Sequence, residues 1–501
     1  MYPPVPLPRG GGVHGAELPP GRPDLAAGGR LVVKRRLRST PTIGIVGVGY
    51  MGIATGLAFA HRGIRVYGYD RSARVRAAVA RGVSPYREAG LAELLRAERR
   101  RGRFSVVESV EQLVALADLL FLCVPTPPRR DGAVDLRPLR LAAKEVGTAV
   151  RGVSGPRVVV VKSTVVPGTT EATVAPILRR SSGRGPRLLG VAVNPEFLSE
   201  GRMVRDALSP ERIVIGTSDA RTARWLRRVY ARFPAPVVEL TMNEAELVKH
   251  ASNAFLALKV SYANELSRWT ERMGGDVDAV TAAVGADPRI GPAFLNAGPG
   301  FGGSCFDKDL RAFVRRGEEV GAPARTARAA LDVNDEQTKH AFELVRSAAA
   351  PLRGKAVAVL GLAFKVGTDD VRESRAFPIV QRLVADGARV RLHDPVARRN
   401  FEREWRRRHG GASGRVGFSS TVAGALRGAD VAVLQAEWPE YIRWSSAWSR
   451  SMRRPVLVDL RRAIPAAVAL RTGLEVVALG VGCPPAPTRA GNGRRARRRT
   501  A

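Results

Sequence analysis

Three sets of residues in this 501-residue chain have the types and spacings that chemistry requires. The first is Gly47-Val48-Gly49-Tyr50-Met51-Gly52, which follows the apolar run TIGIV and opens a helical stretch. In such a turn Gly47 permits the tight bend, Gly49 lets backbone approach a pyrophosphate and Gly52 lets the helix pack on the strand, while free N–H groups at the helix start face the anion. A second run, VYGYD, ends 18 residues beyond Gly52 in Asp70, where a carboxylate can accept hydrogen bonds from ribose hydroxyls. Strand, turn, helix, strand and acid together point to a bound dinucleotide. The acid favours NAD over NADP, because it would repel a 2′-phosphate. The second set is GFGGSCFDKD, where Cys305 sits in a glycine-rich run beside Lys308 and Asp309, a setting expected to raise its thiolate fraction. A lone cysteine is more often a small buried apolar residue. The third set is two pairs, Lys249 with Asn253 on a helical stretch and Glu196 with Glu200 in NPEFLSEG. Residues four apart on a helix share a face, so Lys249 and Asn253 can present an ammonium and an amide to one oxygen.

The elements that must position these groups alternate. Strand-like runs at 42–47, 66–70, 119–124, 158–162, 189–193 and 212–215 are separated by helical segments, the pattern of a parallel sheet with crossover helices. From about Asn243 to Asp335 strand signals disappear, and about thirty residues without Pro or Gly predict a long central helix. A second alternating block follows in KAVAVLGLAF, a helix near Phe377 to Ala385, ARVRLHDP, ADVAVLQA and PVLVDL. The expected fold is α/β: two Rossmann-like doubly wound domains joined by a long central helix and helical connector. The expected divisions are a tail at 1–40, a NAD-binding domain at 41–238, a central helical domain at 239–340, a second Rossmann-like domain at 341–482 and an Arg-rich tail at 483–501.

Composition limits the alternatives. Apolar residues make up 45% of the chain, which is globular, yet 81 Lys plus Arg against 46 Asp plus Glu give a net charge of +35. Residues 1–40 carry +5 and residues 483–501 carry +6, both in Pro- and Gly-rich segments expected to be mobile, so +24 remains between them. Nine of the cations are Lys and 72 are Arg, a skew that composition alone can produce. Nucleic acid is therefore an unlikely partner. Three scattered cysteines exclude a disulfide framework and a four-Cys zinc site, and no metal site is expected. Neither a signal peptide nor a membrane span is predicted, since the apolar stretch 42–60 holds five glycines and reads as strand, turn and helix. Cytoplasm is the expected location.

Further segments, CVPTPP (123–128), KSTVVPGTT (162–170), NPEFLSEG, the 249–253 helix, GFGGSCFDKD and FKVGTDDVRES (364–374), together resemble the UDP-glucose/GDP-mannose dehydrogenase family over about residues 41–462. The resemblance implies a cytoplasmic, NAD-dependent, four-electron oxidation of a sugar-nucleotide primary alcohol to a carboxylate, UDP-glucose to UDP-glucuronate in the favoured reading and GDP-mannose in the alternative. An alternative of another class is a polyanion-binding protein on the same scaffold without catalysis. A thiolate suits a double oxidation, because a thiohemiacetal can lose a second hydride to give a thioester.

The same resemblance implies the site. Cys305 is the nucleophile, Lys249 and Asn253 hold the developing alkoxide, and Lys249 or a water on Asp309 moves the proton. Glu200 is the base for thioester hydrolysis, with Glu196 and Thr126 shaping the water site. NAD is expected to meet Gly47, Gly49, Tyr50, Met51, Gly52, Asp70, Pro125, Thr126, Ser163, Thr164, Glu200, Lys308 and Arg372. The sugar nucleotide is expected to meet Glu196, Phe197, Leu198, Lys249, Asn253, Phe301, Gly302, Phe364, Lys365 and Arg461. Arg289 is expected to reach the neighbouring site of a homodimer. Leu460 and Asp307 replace a Gly and a Pro common in the family, and none of the six His falls in a matching motif.

Overall fold

Strands covered on both faces must be apolar at every position, not every second one, and this is what gives the chain its short β-branched runs. The structure, a computed structural model, describes residues 41–410 and 414–482, so both expected tails lie outside the described residues. The first sheet contains β1 (Ile43–Val46), β2 (Val66–Tyr69), β3 (Phe104–Val106), β4 (Leu119–Leu122), β5 (Arg157–Val161), β6 (Leu189–Val193), β7 (Ile213–Gly216) and β8 (Val237–Leu240), in the order β3-β2-β1-β4-β5-β6-β7-β8. Its neighbours pair in parallel except β6 and β7, which meet antiparallel at Val193 and Gly216. The second sheet contains β9 (Ala356–Leu360), β10 (Arg389–His393), β11 (Val416–Phe418), β12 (Val431–Leu434), β13 (Val456–Asp459) and β14 (Glu475–Ala478), all parallel, in the order β11-β10-β9-β12-β13-β14. Strand order reverses beside β1 and beside β9, which opens a crevice at the carboxyl ends of each sheet.

The predicted runs correspond to ten of these strands. The four that the sequence pattern missed, β3, β8, β11 and β14, are the outer strands of the two sheets. Each is three or four residues long and partly exposed, so none carries a continuous apolar run.

The central helix, Met242–Met273, is 32 residues long. Thr241 and Glu244 cap its start reciprocally, side chain to backbone in both directions, and Gly274 ends it with φ +77°. A second long helix, Arg325–Ala349, packs along it. Its first half packs Ala327, Ala330 and Leu331 against Ala257 and Leu310, while its second half adds Ala341, Phe342, Val345 and Ala349 to the core of the second sheet. One rod therefore runs from the middle of the molecule into the C-terminal domain and sets how the two crevices face each other.

Candidate active site

The glycine turn is built as the sequence pattern demands. Gly47 has φ +92°, and a Cβ there would lie 2.7 Å from the Cys123 carbonyl oxygen. A Cβ on Gly52 would lie 1.9 Å from the Gly47 oxygen, whereas one on Gly49 meets nothing within 4 Å. Two glycines are thus required by packing, and the middle one faces open space where a phosphate can approach. The helix Tyr50–His61 begins there with no side-chain cap, leaving its N–H groups available. Asp70, at the end of β2, accepts from Val48 N and Ser72 N at 2.9 Å each and remains partly exposed. These features fit a dinucleotide.

The loops after β4 and β5 form the next wall. Thr126 Oγ1 donates to Thr164 O (2.8 Å) and Ser163 Oγ to Val124 O (2.6 Å), so residues 125–126 and 163–164 are tied together next to the turn. Met51 is half-buried and packs against the core that includes Leu57 and Cys123.

Cys305 is the residue immediately before the helix Phe306–Glu319. Lys249 forms an ion pair with Glu196 (3.0 Å), Asn253 Nδ2 donates to Asp309 Oδ2 (2.7 Å), and Lys308 Nζ meets Asp309 Oδ1 (2.5 Å). One helix face thus delivers Lys249 and Asn253 to two buried carboxylates. Burial works against a charged Lys249, but Glu196 and Asp309 outweigh it and raise the ammonium's pKa. Burial would also raise Asp309, yet Lys308, His250 and Lys249 hold it below its ordinary value. At Cys305 the structure corrects the sequence expectation of a raised thiolate fraction. Burial first, with Glu196 and Asp309 adding, pushes the thiol up to about 11, and only Lys249 pulls it down appreciably. Short-range sequence shows Lys308 next to Cys305; it does not show that two carboxylates also face the sulfur.

The second domain closes the cleft. Gly303 has φ +86°, a Cβ on it would lie 2.6 Å from the Phe364 ring, and its N–H donates to Arg372 O (3.1 Å). Lys365 Nζ donates to Ser199 Oγ (2.9 Å). Arg372 binds Asp370 and reaches Glu200 Oε1 at 3.2 Å, where Ser304 Oγ also donates at 3.2 Å. Burial first, then Asp370, pushes Glu200 up to about 7, with Arg372 opposing. Its other oxygen is buried without a donor among the described residues. Glu196 Oε2 accepts Leu198 N at 2.7 Å, and the Phe197 ring carries Arg212 at 4.2 Å and Lys249 at 5.7 Å from its centroid. The Phe301 peptide is held by Asn334 and by Arg375.

Two expected residues stand apart. Arg289 is exposed and, among the described residues, its ion pair is with its neighbour Asp287. Arg461 donates to Gln435 O (2.7 Å) and lies against Gly298. Sequence reasoning missed Ser304, Asp370, Asn334 and Arg375, whose partners are all distant in the chain except Arg372. Among the described residues no cluster of His, Cys, Asp and Glu is suited to a metal ion, and no helix is long and apolar enough to cross a membrane.

A turn shaped for a pyrophosphate, opening on a cleft whose far wall is a second nucleotide-type domain, is the architecture of a NAD-dependent dehydrogenase. The chain belongs to the UDP-glucose/GDP-mannose dehydrogenase family, matching its NAD binding domain over residues 41–234, its central domain over 243–336 and its UDP binding domain over 358–466. It is 38% identical over 444 residues to the UDP-glucose 6-dehydrogenase AglM of Haloferax volcanii, covering 87% of this chain and 99% of that one. Against the UDP-glucose 6-dehydrogenase YwqF of Bacillus subtilis it is 35% identical over 439 residues, covering 87% and 97%. The structure of a UDP-glucose dehydrogenase from Pyrobaculum islandicum matches with a TM-score of 0.79 at 40% identity, covering 87% of this chain and 98% of that one.

Proposed function

We propose that this chain oxidises UDP-glucose to UDP-glucuronate in two hydride transfers, through a thiohemiacetal and a thioester at Cys305. The carrying observation is that Glu196 and Glu200 from one loop, Lys249 from the central helix and Asp309 from the helix that follows Cys305 all act electrostatically on the Cys305 sulfur. When bound, NAD supplies the hydride acceptor, one molecule per oxidation step.

In the first step the sugar hydroxyl gives its proton to a water on Asp309, or to Lys249 after the ammonium has passed its own proton to that water, while Lys249 and Asn253 hold the developing alkoxide, and loss of a hydride from the carbon leaves the aldehyde. Cys305 then adds to the aldehyde: an S–C bond forms, and the thiol proton ends on the aldehyde oxygen. This keeps the carbon at the oxidation level of an aldehyde but gives it a C–H and an O–H to lose again. Loss of the second hydride and of that proton leaves a thioester. Glu200, which burial makes a stronger base than an exposed carboxylate, takes a proton from water as the water adds to the carbonyl. The C–S bond breaks, Cys305 regains its proton, and the acid is released. Glu196 and Thr126 shape the water's position.

We assign residues 41–238 to NAD, through Gly47, Gly49, Tyr50, Met51, Gly52, Asp70, Pro125, Thr126, Ser163 and Thr164, with Lys308 and Arg372 completing the nicotinamide end. Residues 341–482 meet the sugar nucleotide through Phe364, Lys365 and Arg461, opposite Phe197, Leu198, Phe301 and Gly302. Residues 239–340 form a homodimer in which Arg289 serves the neighbouring site. Supporting this, Phe255, Tyr262 and Trp269 recur every seven residues on the central helix and are 63%, 48% and 61% exposed.

Purified protein with UDP-glucose and NAD is expected to release about two NADH per sugar, the stoichiometry of a four-electron oxidation. Neither UDP-glucose nor GDP-mannose giving NADH would end the reading. Cys305→Ser is expected to abolish formation of the acid while leaving NADH binding intact.

A further inference from the structure

Lys162 is a buried cation that the chemistry above does not use. It follows β5, is 7% exposed, and forms no ion pair among the described residues. Its Nζ donates to Asn194 Oδ1 (2.8 Å) and reaches Asn194 O at 3.4 Å. Asn194 follows β6 and is tied in turn to two further elements, since Tyr230 OH donates to the same Oδ1 (2.5 Å) and Nδ2 donates to Val214 O (2.7 Å). Two residues beyond each partner stand groups already placed in the site, Thr164 and Glu196. An ammonium taken out of water without a counter-ion is unfavourable, and such groups concentrate where a charge is needed.

We propose that Lys162 is a positioning residue for the reaction: it clamps the carboxyl ends of β5 and β6 together and holds a positive charge behind the Glu196–Lys249 pair. The inference rests on the proposed function only in treating that pair as part of the reacting site. A cation there, as a like charge, makes the Lys249 ammonium readier to release a proton. Cys123, Glu196, Lys249 and the Tyr230 phenol face the ammonium from the neighbouring elements. Burial keeps Cys123 and Tyr230 protonated, so neither competes as a counter-ion. Burial first, with Lys249 adding, brings Lys162 down to about 8, against the pull of Cys123 and Glu196.

The test uses Lys162→Met, which removes charge and clamp, and Lys162→Gln, which keeps a donor for Asn194. Wild-type kcat is expected to fall as pH rises above about 8, where Lys162 loses its proton. Both variants are expected to lose that decline and to show kcat lower by about ten-fold at neutral pH, the equivalent of about one pKa unit of interaction, with KM for UDP-glucose little changed. Full activity in Lys162→Gln would reduce the residue to a clamp and overturn the charge. Retention of the alkaline decline in folded variants would overturn it equally.

A second readout needs no substrate. A lysine whose folded pKa lies below its unfolded value destabilises the fold while charged, and that penalty disappears as pH rises. The melting temperature of Lys162→Met relative to wild type is therefore expected to be higher at pH 7 than above pH 10.5, with that advantage lost between about 8 and 10.5. A gap independent of pH would show that no charge is held there. If wild type gives no NADH from UDP-glucose, the proposed function fails, while the melting comparison still decides whether the buried charge exists.

Discussion

The two sheet domains start from the same local design and diverge within a few residues. Gly47 after β1 and Gly361 after β9 have φ of +92° and +94°, and a Cβ on either would strike backbone beyond the next strand, at Cys123 or Ala436. An aspartate ends the second strand in both, accepting from the residue after the glycine: Asp70 from Val48, Asp394 from Leu362. Asp394, however, also accepts from Ala363, Val396, Ala397 and the Trp438 indole, and is 3% exposed. Asp70 keeps capacity for a ligand; Asp394 is sealed by protein.

The turn lengths differ in the same sense. In the first domain the helix begins at Tyr50, three residues after Gly47. In the second it begins at Ala376, and the intervening chain crosses the cleft to place Lys365 on Ser199 and Arg372 on Glu200. One turn leaves an uncapped helix start facing open space at Gly49; the other delivers side chains to the first domain's site. The same topology therefore serves two uses, and the use is set by turn length and by how many donors the aspartate has already met.

The largest expected effect tests the short turn. Gly52→Val would force a side chain into the Gly47 carbonyl and is expected to abolish measurable NADH binding by fluorescence titration. Gly361→Ala, by contrast, should lower the melting temperature while the surviving folded protein still binds NADH. Next is the pair of acids. Asp394→Asn turns an acceptor into a donor facing N–H groups and should cost about 2–4 kcal/mol in urea unfolding, with NADH affinity unchanged. Asp70→Asn should leave stability nearly intact and weaken NADH about ten-fold, about 1.4 kcal/mol. The reverse assignment of losses would break the comparison.

Smaller effects sharpen it. Arg372→Met removes a cation that lowers the pKa of Glu200, so the acid limb of acid formation should move above about 7, read in a pH–rate profile. Tyr50 OH lies 3.4 Å from Asp369 across the cleft, and Tyr50→Phe is expected to change stability by only a few tenths of a kcal/mol.

Legibility followed burial. Most interior strands are readable because both their faces are apolar, β10 is readable through the alternation of Val390 and Leu392 with polar residues, and every outer strand is missed because a half-exposed run of three or four residues carries no such signature. In the site, groups with a local frame were readable: the glycine turn, the acid 18 residues on, and the i, i+4 pair on the central helix. Ser304, Asp370 and Arg375 were not, because Glu200 and Phe301, which they help to hold, come from distant stretches of chain.

What the sequence determined by itself is therefore the fold class, the dinucleotide turn and the family, all of which depend on motifs and spacings within a few tens of residues. Tertiary structure alone decided the electrostatics. Burial first, with Glu196 and Asp309 adding, holds Cys305 as a thiol, and burial first, with Asp370 of the other domain adding, raises Glu200. Charges act through space and burial, and neither is a property of neighbours in the chain.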